Sequence, residues 1–363
     1  NNKIFTLSMW VKRTTTGTAQ DLFTSGADNN NEFLVRLDND NTFLVKQDQS
    51  GSEDMSRRTN RLFRDPSAWY HIVVAQNDDV EANKSASHSI GKRNFSATGF
   101  FDGYMAEVVF IDGQQLDATS FGEFDEDSSI WKPKDVSGLT FGNNGFYLDF
   151  ENSGSLGADV SGNGNNFTVN NLTSIDQSTD TCTNNFCTLN PLASGGNPTF
   201  SEGNLGVVVN AQNTDEQTTA TFAVSSGKWY WEHRLNSTTT SNAGYFKIGL
   251  RGTDASGSAW TVRGIDGEIQ DSSGATGSST VSYTTNSVIG IYLDMDNGKW
   301  YLSVDGSLQN SANLTNGTGF LHNNLTGEVR PFILNASSGG THTGIGNFGQ
   351  DSSFAGNKTS GSA

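Results

Sequence analysis

Positive charge is what this chain lacks most. Its 22 Lys and Arg stand against 39 Asp and Glu, a formal net charge of −17. Affinity for nucleic acid comes largely from neutralising phosphates with Lys and Arg, so no nucleic-acid partner is expected. An anionic membrane surface repels such a chain for the same reason. The basic cluster Arg57, Arg58, Arg61 and Arg64 is diluted by Asp54 and Asp65 and reads as a solvated loop. Cysteine is scarce too: Cys182 and Cys187 in TCTNNFC are the only two. They either close a small loop or stay as thiols, and the second pair that a zinc ribbon needs is missing. Long apolar runs are absent, so a bilayer-crossing segment is not expected. No signal peptide is visible and the sequence opens at Asn1 without Met, which suits an internal part of a longer polypeptide.

What fills the gap is Gly, Asn, Ser and Thr around regularly placed aromatics. Hydrophobic residues make up only 34%, a share that could signal disorder, but charged residues are just 17%, and 23 Phe, 8 Tyr and 7 Trp recur inside alternating segments. Aromatic and β-branched residues between polar turns are what half-buried strands need. The fold class expected is therefore all-β, and 363 residues allow two domains with their own cores.

Ile4–Lys12 (IFTLSMWVK) puts Phe5, Leu7, Met9 and Val11 on one face of a strand. Asn31–Gln47 reads as a hairpin reversing at Asp38-Asn39-Asp40-Asn41. Ala68–Gln76 and Phe101–Ile111 are further strands, the latter ending in a turn at Asp112-Gly113. Asp117–Asp135 is an acidic excursion that ends at Trp131-Lys132-Pro133. Gly145–Phe150 (GFYLDF) and Asn166–Leu172 (NFTVNNL) read as the last strands of a first module, followed by an irregular connector.

The set TLSMWVKR, SAWYHIVVAQ and FFDGYMAEVVFIDGQQL resembles the laminin-G-like, concanavalin A-type jelly roll. The continuation FGNNGFYLDF…GADVSGNGNNFTVNNL…DQSTDTCTNNFCTLNP is similar to stretches recurring in tail-fibre and other virion proteins of bacteriophages, marine ones in particular. One departure stands out. Such modules carry a strand of the form YVNG or YVDG before the FDG strand, and Asp78–Asn94 contains none, so either that strand has diverged or a piece of chain is missing from this sequence. The resemblance also implies a first strand before Asn1. A second module opens near Phe200, with strands over Asn204–Asn210, Thr218–Val224, Ser226–Leu235 and Tyr245–Leu250. A hairpin over Val288–Val304 turns on Asp296-Asn297-Gly298, and Arg330–Leu334 and Gly344–Gly349 close the series. GKWYWE, FKIGL, VIGIYLDMDNGKWYLSVDG, PFIL and GNFG, in that order, resemble the SPRY module, a β-sandwich that binds partners through loops at one edge. The expected organisation is two tandem antiparallel β-sandwiches: 1–175 laminin-G-like, 176–198 connector, 199–354 SPRY-like and 355–363 tail.

Candidate chemistry is thin. Some concanavalin-type sandwiches are glycosidases, which need two carboxylates across a cleft. Glu123-Phe124-Asp125-Glu126-Asp127 comes nearest but sits in the acidic excursion and reads as a solvated loop. His71 and His233 lie beside aromatics in strand-like runs, where a packed imidazole is the ordinary reading. No G-x-S-x-G elbow occurs, and no enzyme is expected. Calcium, the one cofactor the resemblance allows, would use clustered Asp and Asn oxygens. Asp159, Asn163 and Asn165 are the candidates, against turn chemistry as the plainer cause. Aromatics in polar loops are the informative ones for ligand binding. Trp260, with Arg263 and Asp266, sits in the Gly252–Asp266 loop, where SPRY modules build a binding edge, and Trp131 sits in the acidic excursion. Either tryptophan could instead cap a sandwich end.

The resemblance implies a virion protein, from a tail fibre or head appendage, located on the particle surface. It would bind a host surface glycan or protein through sandwich-edge loops. It would assemble with other virion proteins, as homo-trimers for a fibre. The alternative is a structural virion part with no host ligand.

Overall fold

The computed structural model describes residues 4–77, 86–210, 216–239, 246–253, 258–271, 274–335 and 340–359. The chain divides into two compact units, Asn1–Asn185 and Phe186–Ala363, both built from antiparallel strands. The strands of the first unit are β1 (Ile4–Arg13), β2 (Gln20–Asp28), β3 (Asn31–Leu37), β4 (Thr42–Gln49), β5 (Ser52–Leu62), β6 (Tyr70–Asn77), β7 (His88–Ile90), β8 (Gly103–Asp112), β9 (Gly122–Phe124), β10 (Trp131–Pro133) and β11 (Phe146–Leu148). Among the described residues one sheet runs β11-β8-β1-β6, a second β5-β4-β3-β2-β7, and β9 pairs β10 in a small ribbon.

The two larger sheets form a sandwich because their strands alternate. Phe5, Leu7, Met9 and Val11 on β1 are fully buried against Phe23, Phe33 and Val35 of the opposite sheet. Phe5 meets Phe33 edge-on at 5.5 Å and stacks on Phe110 at 5.1 Å. The polar face of β1 is buried as well, which alternation alone does not foretell. Thr6 donates to the Gln114 carbonyl, Trp10 stacks on His71 at 4.6 Å, and the Lys12 ammonium lies 2.8 Å from Asp180. Residues beyond β8 thus cover this sheet from outside. At Asp38–Asn41 the chain reverses as the Asx run requires: Asn41 takes φ 66° and its N–H donates to the Asp38 carbonyl at 2.9 Å.

Several elements differ from expectation. Asn166–Leu172 is not a strand; it holds on through the Phe167 ring, edge-on to Phe146 at 4.8 Å, and the Phe167 N–H bonded to the Gly157 carbonyl. The arginine-bearing stretch is an exposed edge strand, β5, in place of a loop. Within Asp78–Asn94, where no YVNG-type strand was found, short β7 pairs β2 and is followed by Gly91 with φ 75°; residues 78–85 of the stretch lie outside the described residues.

The second unit has β12 (Leu189–Gly195), β13 (Thr199–Ser201), β14 (Gly206–Asn210), β15 (Gln217–Ala220), β16 (Lys228–Thr238), β17 (Phe246–Gly252), β18 (Ala259–Arg263), β19 (Glu268–Asp271), β20 (Gly274–Ser278), β21 (Val288–Asp294), β22 (Lys299–Val304), β23 (Ser307–Leu308), β24 (Val329–Asn335) and β25 (Thr341–Asn347). They make two seven-stranded sheets, β12-β15-β24-β17-β18-β19-β20 and β13-β14-β25-β16-β21-β22-β23. Trp231, Ile291, Trp300 and Leu302 from one sheet pack with Phe246, Ile248, Val262 and Ile333 from the other. The stretch read as a connector is divided between the units. Asp180 is anchored in the first, and β12 is an edge strand of the second with Leu189 fully buried.

Candidate functional site

The described part of the Gly252–Asp266 stretch is not a single loop. Residues 254–257 lie outside the described residues, and Ala259–Arg263 forms β18, paired with β17 so that Trp260 faces Leu250. Trp260 and Val262 share the core-facing side of β18, and Trp260 packs against the second unit's core. Alternation turns Arg263 the other way. Its guanidinium grips Asp266 at 3.0 and 2.6 Å and reaches Glu268 at 2.6 Å. The hydrogen bond from Arg263 holds the Asp266 carboxyl below the usual carboxylate range, against a smaller opposing effect of burial. Trp260 and Arg263 are therefore three residues apart on one strand but on opposite faces, and the trio does not converge on one ligand position.

Trp131 is anchored. It lies on β10, donates from Nε1 to His71 Nδ1 at 3.0 Å, and meets Phe124 edge-on at 4.9 Å. Gly122 on β9 leaves it room, since a Cβ there would come within 2.5 Å of the indole ring. His71 also contacts Ser8 Oγ at 2.9 Å, and burial pushes its pKa down to about 4. The imidazole is a packed structural group, as its aromatic neighbours suggested.

Asp159, Asn163 and Asn165 form a turn-locking cluster. Oδ1 of Asp159 accepts from the N–H groups of Tyr147 and Ser161, and Oδ2 from that of Asn165. Burial would raise this carboxyl, but those bonds together hold it below its ordinary value. The amides of Asn163 and Asn165 both donate to the Gly145 carbonyl at 2.9 Å. A carboxylate with its lone pairs already committed to backbone N–H groups, next to amides presenting nitrogen, does not fit the oxygen-rich cage that calcium takes. Among the described residues no group of three or more His, Cys, Asp or Glu could hold a metal ion.

Cys182 and Cys187 do not pair with each other, and Cys187 Sγ accepts from the Phe222 N–H at 3.4 Å. Burial, helped by the nearby Glu107 charge, pushes the Cys182 thiol up to about 12. Glu123–Asp127 is partly strand, and Asp125 is tied to Lys132 at 2.9 Å.

The exposed aromatics of the second unit lie elsewhere, at the start of β16. Trp229 and Phe222 are 48% and 37% exposed and line an open groove with Thr221, Val224 and Ser226. The Trp229 indole N–H donates to the Ser226 carbonyl at 2.8 Å, which fixes the ring. Sequence reading placed KWYWE on a strand and assigned its aromatics to the core. The signal overlooked is that five ring or charged residues in a row cannot all face inward on a strand, which accounts for exposed Tyr230; Trp229 shares a face with buried Trp231 and is exposed by its place at the strand's start.

No curated protein matches the chain. The SPRY domain of human HERC1 is similar at 16% identity and TM-score 0.38, covering 45% of this chain and 99% of that one. The TRIM65 PSpry domain is similar at 14% identity and TM-score 0.31, covering 44% and 90%. Residues 1–83 match the Laminin_G_3 family, of the concanavalin A-like lectin/glucanases superfamily, so the first unit is similar to laminin-G-like sandwiches.

Proposed function

We propose that this protein is a binding component of a bacteriophage virion, a tail fibre or head appendage, that attaches to a host surface glycan or protein through loops at a sandwich edge. The observation that carries the binding part is the fixed, half-exposed Trp229 beside Phe222 at the end of the second unit. A large ring held rigid in water is the usual anchor of a recognition site, because it adds contact area at small entropic cost. A match over residues 1–83 to a superfamily that includes lectins supports binding as a class. The virion setting rests on the resemblance of residues 141–191 to phage virion proteins. Many linked copies, trimers in a fibre, would raise weak contacts to firm attachment through effective concentration.

A structural virion role with no host ligand has its own support: Phe124 and Ile130, on the β9–β10 ribbon, are 68% and 62% exposed, the kind of apolar tip a neighbouring subunit covers. The two readings separate when labelled, folded chain is added to intact bacterial cells from a panel of hosts. Saturable binding supports attachment. Binding to none of them, by a sample that still assembles, supports the structural role.

A further inference from the structure

Lys12, on the outer face of β1, has a side chain with no access to solvent, and so has Asp180. Lys12 lies opposite Tyr104 of β8, and its Nζ stands 5.6 Å from the centre of that ring. Trp69, whose ring centre is 6.4 Å from that of Tyr104, donates from Nε1 to Asp180 Oδ1 at 3.0 Å. Inside this wall two oxygens meet at one nitrogen: Asp180 Oδ2 and Asn185 Oδ1 each lie 2.8 Å from Lys12 Nζ.

A tight reversal delivers both partners together. The Thr181 N–H donates to the Asn184 carbonyl at 3.2 Å, and the Asn184 N–H donates back to the Thr181 carbonyl at 3.0 Å. Asp180 and Asn185 flank that bridge, so they stand opposite each other and present their side chains on one side. The Asn185 amide is oriented as well, since its Nδ2 donates to the Ser67 carbonyl at 2.8 Å and leaves Oδ1 to Lys12. An amide C=O bond is about 1.2 Å long, so Nζ lies within about 4 Å of Asn185 Cγ, a small shift from the separation at which neighbouring groups react.

We infer that this cluster is a self-modification site, at which Lys12 Nζ displaces the Asn185 amide nitrogen to form an intramolecular isopeptide bond, with Asp180 as the proton carrier. An ammonium has no lone pair with which to attack, so it must first lose a proton, and Asp180 is bonded to it. That transfer also relieves the cost of holding two charges out of water. Asp180 passes the proton to Asn185 Nδ2 and takes the next one from the bond-forming nitrogen. The Nζ–Cγ bond forms and the Cγ–Nδ2 bond breaks. The departing nitrogen carries off both protons as ammonium from Asn185, a residue exposed at the surface, and Asp180 is a carboxylate again. No oxidant or other reactant is consumed. The bond joins residues 173 apart in sequence and ties the end of the first unit to β1, a long covalent loop of the kind that most constrains the unfolded chain. Until it forms, Lys12 and Asp180 are an ion pair with the energetics of one. The site depends neither on Trp229 nor on the virion reading.

The test is the intact mass of the full chain, measured after folding and then denaturing it, followed by peptide mapping. The expected mass is that of the sequence less one ammonia, with the Lys12 and Asn185 peptides joined. Lys12→Arg, which keeps the cation but not the attacking amine, and Asn185→Ala should each give the full sequence mass. Asp180→Asn should form the Lys12–Asn185 bond more slowly by roughly a hundredfold or more, as loss of a proton carrier does. Full sequence mass for the folded, unaltered chain after prolonged incubation overturns the inference and leaves a structural ion pair. So does an ammonia loss that persists in Lys12→Arg, which marks cyclisation of an asparagine elsewhere. Loss of one water, with Lys12 joined to Asp180, overturns the roles assigned to Asp180 and Asn185.

Discussion

Lys12 holds its ammonium group entirely out of solvent, where an unpaired charge could not be sustained. Its partners come from more than 160 residues away in sequence: Asp180 Oδ2 and Asn185 Oδ1, each at 2.8 Å. The Trp69 indole N–H takes the other Asp180 oxygen at 3.0 Å. Removing one member of such a pair leaves a bare buried charge and costs about 3–5 kcal/mol, whereas replacing both with apolar groups is often neutral. Asp180→Ala should therefore lower the first unit's stability by about that amount in urea unfolding, and Lys12→Met with Asp180→Leu should recover most of it. His233 presents the reverse case, a buried group that must stay neutral. Burial lowers its pKa to about 3, and neither ring nitrogen has a hydrogen-bond partner among the described residues. The unfolded chain binds a proton there near the ordinary value of 6.5 and the folded chain does not. Stability is thus full above pH 6.5 and falls as pH drops toward 3, by up to about 1.4 kcal/mol per pH unit. Thermal unfolding of the His233→Leu variant should show a shallower loss over that window than the unaltered chain; equal slopes would refute the assignment. Cys182, with its thiol raised to about 12, should resist alkylation at pH 8 until the chain is unfolded.

At the scale of elements, the strands with one apolar face were legible in the sequence and those without were not. β1, β8, β21 and β22 alternate cleanly because one side meets a core. β5 carries SEDMSRRTNRL at a sheet edge, mostly exposed, so no periodicity was available to mark it. Its Arg58 reaches Asp38 at 2.7 Å and Asp40 at 2.9 Å, an exposed pair worth little. β2 failed for the opposite reason: Asp21, Thr24 and Ser25 are as buried as Leu22 and Phe23, with Asp21 held by Arg36 at 2.6 Å. Trp260 was misjudged because glycine-rich surroundings masked a short strand. The Lys12, Asp180 and Asn185 cluster could not be read at all, since Lys12 lies more than 160 residues from both partners and meets them only in the fold. The division of the connector between units has a direct consequence. A fragment ending at 175 lacks Asp180 and Asn185, whose oxygens hold the Lys12 ammonium at 2.8 Å, and one beginning at 199 lacks β12 and the fully buried Leu189. Fragments 1–185 and 186–363 should each melt cooperatively, and at higher temperature than 1–175 and 199–363 respectively.

For the whole molecule, the scarcity of apolar residues is met by concentrating them. Each unit buries its aromatics between two sheets, and the remaining surface is left to Asn, Ser, Thr and acidic groups. That surface suits a protein carried in many copies, because a strong net charge opposes self-association. The few large rings left in water then carry the functional account, and they differ from the tryptophans singled out by sequence. Trp260 and Trp131 are packed or hydrogen-bonded within their units, while Trp229 is half exposed and held at its rim. The most direct measurement is the apparent affinity of the full chain for a bacterial cell surface that it saturates, compared between Trp229→Ala and Trp131→Phe. The account predicts that Trp229→Ala weakens binding by roughly tenfold or more, as loss of an anchoring ring does, with Trp131→Phe close to the unaltered chain. Undiminished binding by folded Trp229→Ala would contradict it.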